Sequence, residues 1–294
     1  MEVDLILATV MAAVPIALAA LGGVLSERAG VVNFALEGMM LSGAFAAVTT
    51  SYYMGSPYLA LAAAVVAGVA IAFMHAAASL WLRVNQIISS IAVNLFALGL
   101  TGALLWRIFG QGTTPEVATL PMYSVHGIAF NALMPAPFII APIVWAFLRF
   151  TKAGLHMRAS GEDAAAARSA GIRVTRVKFL AVLASGALAG AAGAFISIGV
   201  LSTFTMNMTN GRGYIAVAAV IFGKWNPLGA VGAALLFGLF STGSDALAAS
   251  AGMRSEIFHA LPYILTLVAL AGFVGKTKPP ADIGDMKSAA ESGM

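Results

Sequence analysis

The chain contains no cysteine, little charge and little histidine. Without cysteine it can form neither a disulfide framework nor a thiolate metal site, and it has no cysteine nucleophile. Only 10% of its 294 residues are charged, whereas a soluble domain carries about 25%. The four histidines lie far apart in the sequence, so no metal site is expected. The composition excludes a soluble enzyme, a disordered chain and a nucleic-acid-binding protein.

The chain is rich in apolar sequence, with 60% hydrophobic residues and a mean hydropathy of +0.93. A helix that crosses a bilayer needs about 20 apolar residues. The sequence therefore predicts an all-α integral membrane protein, a bundle of about nine transmembrane helices with short or broken helices and one cytoplasmic helix. Residues 1–275 form the transmembrane domain, and 276–294 form a C-terminal tail. The candidate spans are about 5–22, 31–50, 58–80, 87–109, 134–150, 179–200, 203–224, 228–249 and 257–274.

Lysine and arginine predict how the spans are oriented. Basic residues concentrate in cytoplasmic loops. With the N-terminus outside and the C-terminus in the cytoplasm, all but three of the 16 basic residues fall on the cytoplasmic side. The exceptions are Arg107, Arg212 and Arg254. Residues 1–4 are too short and too acidic for the charged region of a signal peptide, so we expect the first span to be retained.

Two apolar segments are interrupted by glycine or polar residues. Residues 213–223 would make a helix of only about 16 Å. Either this span extends backward through 203–210, or it is a half-helix. The start of the second span, at 30–42, has the same interrupted character. Transporters use such segments to expose polar groups to substrate, and close helix packing by small residues is the alternative.

The largest predicted cytoplasmic loop, 151–178, carries signals for a short helix. Ser160 and Asp163 have the spacing of a capping box, alanines follow, and Gly171 supplies the stop. These signals predict one helix of about ten residues at 161–170. Its small side chains suit docking into a partner's groove, whereas an interfacial helix without a partner is the alternative. The residues assigned to docking are Ser160, Gly161, Glu162, Asp163, Ala166, Arg168 and Gly171.

Residues 161–172 resemble the cytoplasmic coupling loop of ABC importer permeases. The signature of that loop is Glu-Ala-Ala and, after three further residues, Gly. Ala165-Ala166-Ala167 and Gly171 keep this spacing, with Ala in place of Glu. The departure is typical of the branch that carries simple sugars and nucleosides. Further segments are similar to spans of the same branch, namely 22–47, 86–100, 184–194 and 213–230.

The resemblance, over about residues 20–275, implies a permease subunit in the bacterial inner membrane, surrounded by lipid. It implies nucleosides or a ribose-like sugar as substrate, delivered by an extracytoplasmic binding lipoprotein. Because the sequence has no Gly-x-x-x-x-Gly-Lys-Ser/Thr phosphate loop, ATP is expected to be bound and hydrolysed by a separate ATPase subunit, and no cofactor or catalytic residue is assigned to this chain. The chain is most similar to the shorter of two permeases that pair, so a related second permease is expected, and a homodimer stays open.

Five residues are candidates for the substrate pathway. Glu37 is an acid within a span, and a charge there costs about 2.5–3.5 kcal/mol. Asn33, four positions earlier, is placed on the same helix face. Amide, carboxylate and aromatic groups together suit a ribose diol and a base. The alternatives are pairing of Glu37 with a neighbouring helix or Arg28, and a helix-to-helix hydrogen bond for Asn94. The candidates are Asn33, Phe34, Glu37, Ser90 and Asn94.

The remaining alternatives concern other transporters and packing. Branched-chain amino-acid permeases are the nearest relatives with another substrate, and their zwitterionic substrate would need an exposed helix N-terminus for its carboxylate. An ion-coupled secondary transporter would need several acids near the midplane, where only Glu37 qualifies. His75 is expected to be a packing residue. The small-residue run 185–193 is expected to pack either within the chain or against the second permease.

Overall fold

The computed structural model describes residues 2–125, 128–251, 279–281 and 283–284. Within that part the chain is almost entirely helical, which confirms the predicted all-α membrane bundle. The helices are α1 (Glu2–Arg28), α2 (Leu36–Met54), α3 (Pro57–Ala76), α4 (Gln86–Phe109), α5 (Ala136–Phe150), α6 (Lys152–Glu162), α7 (Ala164–Ser169), α8 (Val174–Ala194), α9 (Arg212–Phe222) and α10 (Pro227–Ala251). Two π-helical turns, Ala77–Trp81 and Phe195–Leu201, extend α3 and α8.

The connection between α4 and α5 forms a small antiparallel hairpin. Its strands are β1 (Met122–Val125) and β2 (Ile128–Asn131), and Met122 pairs with Asn131. The chain before the hairpin also pairs with the segment that follows α8, because the Thr114 amide donates to the Phe204 carbonyl at 3.0 Å. This loop therefore provides hydrogen-bond partners for backbone groups that follow α8.

Fewer helices than predicted are long enough to cross a bilayer alone. Among the described residues five helices qualify, and a sixth span arises if α5 and α6, which are bent by 78°, count as one. α2 starts at Leu36 rather than near 31, and α9 has only 11 residues. The predicted span at 257–274 lies outside the described residues, as does most of the predicted tail at 276–294.

The half-helix alternative for 213–223 is confirmed. The chain before α9 does not continue the helix, because Asn207, Asn210 and Gly211 all adopt the left-handed backbone conformation. The corresponding break before α2 is also held in place by side chains. The Val32 amide donates to Gln86 Oε1 at 2.7 Å, and His75 Nε2 lies 3.1 Å from the Val32 carbonyl. His75 is fully buried and is the packing residue that the sequence predicted.

The small-residue run 185–193 packs within the chain. A Cβ atom on Gly186 would meet the Gly68 carbonyl of α3, and one on Gly190 would meet the Ala64 carbonyl. A Cβ on Gly193 would meet the Met40 carbonyl of α2. α8 therefore lies between α2 and α3 at backbone distance. These three glycines therefore face this chain's own backbone, which is the packing within the chain that the sequence offered as one of its two arrangements.

Candidate functional site

Glu37, at the start of α2, binds the N-terminal end of the half-helix α9. Its Oε1 accepts hydrogen bonds from Thr209 Oγ1 at 2.6 Å and from the Gly211 amide at 2.8 Å. Its Oε2 accepts from the Gly213 amide at 2.6 Å. Free amides and the positive dipole end of a helix both favour a carboxylate. The buried acid is thus satisfied by a neighbouring helix rather than by Arg28, whose Nε donates to the Trp225 carbonyl at 2.8 Å.

Asn94, on α4, joins the start of α2 to α9. Its Oδ1 accepts from the Gly38 amide at 2.8 Å, and its Nδ2 donates to the Phe34 carbonyl at 2.9 Å and to Tyr214 Oη at 3.0 Å. Asn94 is buried, whereas 46% of Tyr214 is exposed in this chain. The amide therefore caps α2 and holds the hydroxyl end of an aromatic ring that is partly exposed. We call Phe34, Glu37, Asn94, Thr209 and Tyr214, with their connecting backbone, the α2–α9 junction.

Two predicted pathway residues do not join the junction. Asn33 precedes α2, and its Nδ2 donates to Ser185 Oγ of α8 at 2.9 Å. The expectation that Asn33 and Glu37 share one helix face is wrong, because the helix begins only at Leu36. Ser90 is fully buried on α4, and its Oγ donates to the Gln86 carbonyl of its own helix at 2.8 Å.

Sequence reasoning missed Thr209 and Tyr214, although a signal for the first was present. Thr209-Asn210-Gly211 is a turn-forming sequence directly before a short apolar segment. That order predicts a helix N-terminus at the segment, and an N-terminus inside a membrane needs an acceptor for its free amides. Tyr214 carried no comparable signal, because its partner Asn94 lies far away in the chain.

The predicted coupling helix is two helices. α6 ends at Glu162, Asp163 takes an extended conformation, and α7 follows over Ala164–Ser169. Asp163 Oδ1 accepts from the Ala166 amide at 2.8 Å and so caps α7. The predicted capping box is wrong, since Ser160 is buried inside α6 and its Oγ has no hydrogen-bond partner among the described residues. The predicted stop is confirmed, because Gly171 has a φ of +84° just after the helix.

The segment 161–171, which we call the coupling segment, has one attached face and one free face. Ala164 and Ala167 pack on Val174, and a Cβ on Gly161 would meet the Arg28 carbonyl at the end of α1. Small side chains point outward beside two exposed acids, and Arg168 is half-buried at the edge. The exposed residues are Glu162, Asp163, Ala165, Ala166, Ser169, Ala170 and Gly171.

A family model described as branched-chain amino acid transport system / permease component matches residues 5–270. The chain belongs to this permease family. The guanosine ABC transporter permease protein NupQ of Bacillus subtilis (strain 168) is 36% identical over 93% of this chain and 92% of its own length. The nucleoside ABC transporter permease protein NupC of Lactococcus lactis subsp. cremoris (strain MG1363) is 34% identical over 90% of each chain.

A solved ABC transporter of the metal-chelate type, in an inward-facing conformation, shares the fold. The match covers 93% of this chain and 85% of the solved chain, with a TM-score of 0.52 and 16% sequence identity. The chain is accordingly an ABC transporter permease, a transport subunit rather than an enzyme, and a multi-pass protein of the inner membrane. Family membership implies an ATPase and a binding protein as its partners.

Proposed function

We propose that this chain forms half of the membrane pathway of an ATP-driven nucleoside importer. Its substrate arrives from an extracytoplasmic binding lipoprotein, and a related permease supplies the other half. The permeases NupQ and NupC, named for guanosine and nucleoside transport, support this substrate class. A ribose-like sugar is the second candidate, because it shares the ribose diol.

The α2–α9 junction does not favour a branched-chain amino acid. A site for such a substrate would offer a free helix N-terminus to the substrate carboxylate. The N-terminal end of α9 already holds a carboxylate, since Glu37 occupies the amides of Gly211 and Gly213. A substrate carboxylate there would find both amides already bonded to Glu37.

The exposed ring of Tyr214 is the observation that carries the nucleoside proposal. Asn94 hydrogen-bonds to its hydroxyl, and 46% of the side chain is exposed on this chain. An aromatic ring offers a stacking surface for a nucleobase, and such stacking contributes about 1–3 kcal/mol per base. In this proposal Tyr214 contacts the base, with Phe34 beside it. Glu37, Asn94, Asn33 and Ser90 position the helices that form the pathway.

The coupling segment meets the ATPase in the same proposal. Its exposed alanines leave room for a groove to close around α7, and Glu162 and Asp163 offer charge to the rim of that groove. This arrangement places the loop 151–178 and the C-terminus in the cytoplasm and the N-terminus outside. ATP is then bound by the partner subunit, and each of two permeases presents one docking helix to one of two ATPase subunits.

Uptake by the complete complex in proteoliposomes tests the substrate class. Tagged chain expressed with its genomic neighbours should bring down a second permease and the ATPase. With the binding protein and ATP present, uptake of labelled guanosine should be inhibited by unlabelled nucleosides but not by ribose or leucine. Equal inhibition by leucine or by ribose would overturn the nucleoside proposal.

Variants of Tyr214 test whether its ring contacts the base. Tyr214→Leu should lower the apparent affinity for guanosine about tenfold, whereas Tyr214→Phe should retain most of it because the ring remains. Tyr53→Leu is the matched control, since Tyr53 is 66% exposed near the C-terminal end of α2, whereas the junction contains the start of that helix. If Tyr214→Leu transports with unchanged affinity, the ring does not line the pathway.

A further inference from the structure

A basic pocket lies beside the coupling segment and outside the α2–α9 junction. It has a volume of about 470 Å³ and opens between the α7–α8 connection and the π-helical turn that extends α3. Three arginines line one side, Arg168, Arg173 and Arg176, and an aromatic wall of Trp81 and Phe179 forms the other. The transport function proposed above uses none of the pocket's arginines or aromatic residues apart from Arg168, which was assigned to the coupling helix.

The charge of the pocket selects an anion. None of its lining residues is acidic, so the three guanidinium groups give it a formal charge of +3. Guanidinium groups bind phosphate oxygens through paired N–H donors, and Thr175 adds a hydroxyl donor at the same place. Arg173 and Arg176 are exposed, so their donors are accessible from the side of the pocket.

The aromatic wall marks the pocket as lying at the membrane surface. The Trp81 ring stacks on Phe179 with centroids 5.3 Å apart, and Phe73 meets Phe179 edge-on at 5.9 Å. Tryptophan rings collect at the boundary between lipid and water. Next to this wall Leu82 is 74% exposed and Leu180 is 54% exposed. A ligand that fills the pocket and continues along this apolar surface must be amphiphilic.

We propose that the pocket binds the headgroup of an anionic phospholipid such as phosphatidylglycerol. The phosphate lies between Arg173 and Arg176, and the acyl chains lie along Leu180 and Leu82. Basic pockets at the ends of membrane helices recognise anionic headgroups in this manner. Since Arg168 belongs to α7, the bound lipid contacts the helix proposed to dock the ATPase.

Native mass spectrometry of the purified complete complex measures the binding directly. Phosphatidylglycerol and phosphatidylcholine are titrated separately, and the bound lipids are counted for each variant. The pocket variant is Arg173→Gln/Arg176→Gln. Its control, Lys152→Gln/Lys224→Gln, removes the same charge from exposed positions outside the pocket. We expect the wild-type complex to retain phosphatidylglycerol over phosphatidylcholine, the pocket variant to lose about tenfold in that affinity, and the control to keep it.

Three other outcomes would overturn the proposal. An equal loss in the control variant would show general surface charge rather than a site. Displacement of the lipid by millimolar inorganic phosphate, which then binds alone, would make free phosphate the ligand. Loss of the ATPase from the pocket variant with lipid retention unchanged would make the pocket a protein contact. The variant Arg173→Lys/Arg176→Lys keeps the positive charge and should lose less affinity for phosphatidylglycerol than the glutamine variant. That difference would show that the loss in the glutamine variant does not come from misfolding.

Discussion

The α2–α9 junction and the coupling segment differ in whether their acidic and amide side chains are buried and hydrogen-bonded or exposed. In the junction, the carboxylate of Glu37 and the side-chain amide of Asn94 hydrogen-bond to other segments of the same chain, at the starts of α2 and α9. In the coupling segment, Glu162 and Asp163 remain exposed beside small side chains, and only one face is packed. The difference arises because the two regions lie in different solvents. A bilayer offers no hydrogen bonds, so polar groups there must satisfy each other, whereas the aqueous side can leave a surface free for a partner.

The comparison predicts that the largest effect comes from removing the acid of the junction. Glu37→Ala removes the acceptor of three donors, two on the buried residues Thr209 and Gly213 and one on the half-buried Gly211. Each unsatisfied donor costs about 1–3 kcal/mol, so we expect most of the folded protein to be lost. Size-exclusion chromatography after mild heating checks this expectation, because it measures how much folded chain the membranes contain.

Two further variants sharpen that result. Glu37→Gln keeps an acceptor for part of the network and should lie between wild type and Glu37→Ala in thermal stability. Glu116→Ala removes an exposed acid and should leave stability unchanged. If transport by Glu37→Gln falls while folded protein stays at the wild-type level, Glu37 acts on the substrate and its proposed positioning role is wrong.

A substitution at Ala166 is expected to change stability less than Glu37→Ala does but to abolish coupling to the ATPase. Its side chain is exposed on α7, so Ala166→Arg should fold and insert normally. The added bulk and charge should prevent α7 from entering an ATPase groove and abolish substrate-stimulated ATP hydrolysis by the reconstituted complex. Ala166→Ser is the size control and should couple normally. This position is a cleaner test than Gly171, because a side chain at a φ of +84° also strains the backbone.

Normal coupling by Ala166→Arg would show that α7 is not the docking element. Ala167→Arg supplies the contrast within the same helix, because Ala167 is buried against Val174. It should lower thermal stability as well as coupling, since its side chain must displace packed neighbours.

The sequence predicted most of the fold because apolar runs, basic residues and glycines are local signals. The broken segments at 30–42 and 213–223 were visible for that reason, and the second is the half-helix α9. The site was harder to predict, since its contacts join residues far apart in the chain. Glu37 and Thr209 are separated by 172 positions, and Asn94 and Tyr214 by 120. Polarity identified Glu37 and Asn94 as important, but only the packing of helices shows what each contacts.

The smallest expected effect is on the local stability of α7, and it distinguishes Asp163 from Ser160 as the residue that caps this helix. Asp163→Ala removes the hydrogen bond to the Ala166 amide and should cost about 1 kcal/mol of local helix stability. Ser160→Ala should be neutral, because its Oγ has no partner among the described residues and its loss leaves no donor unsatisfied. Hydrogen exchange of the α7 amides measures the difference, with faster exchange expected only for Asp163→Ala. Because α7 has only six residues and lies outside the main hydrophobic core, overall thermal stability should hardly change in either variant. Faster exchange in Ser160→Ala, with Asp163→Ala unchanged, would restore the capping box and a single helix across 161–170.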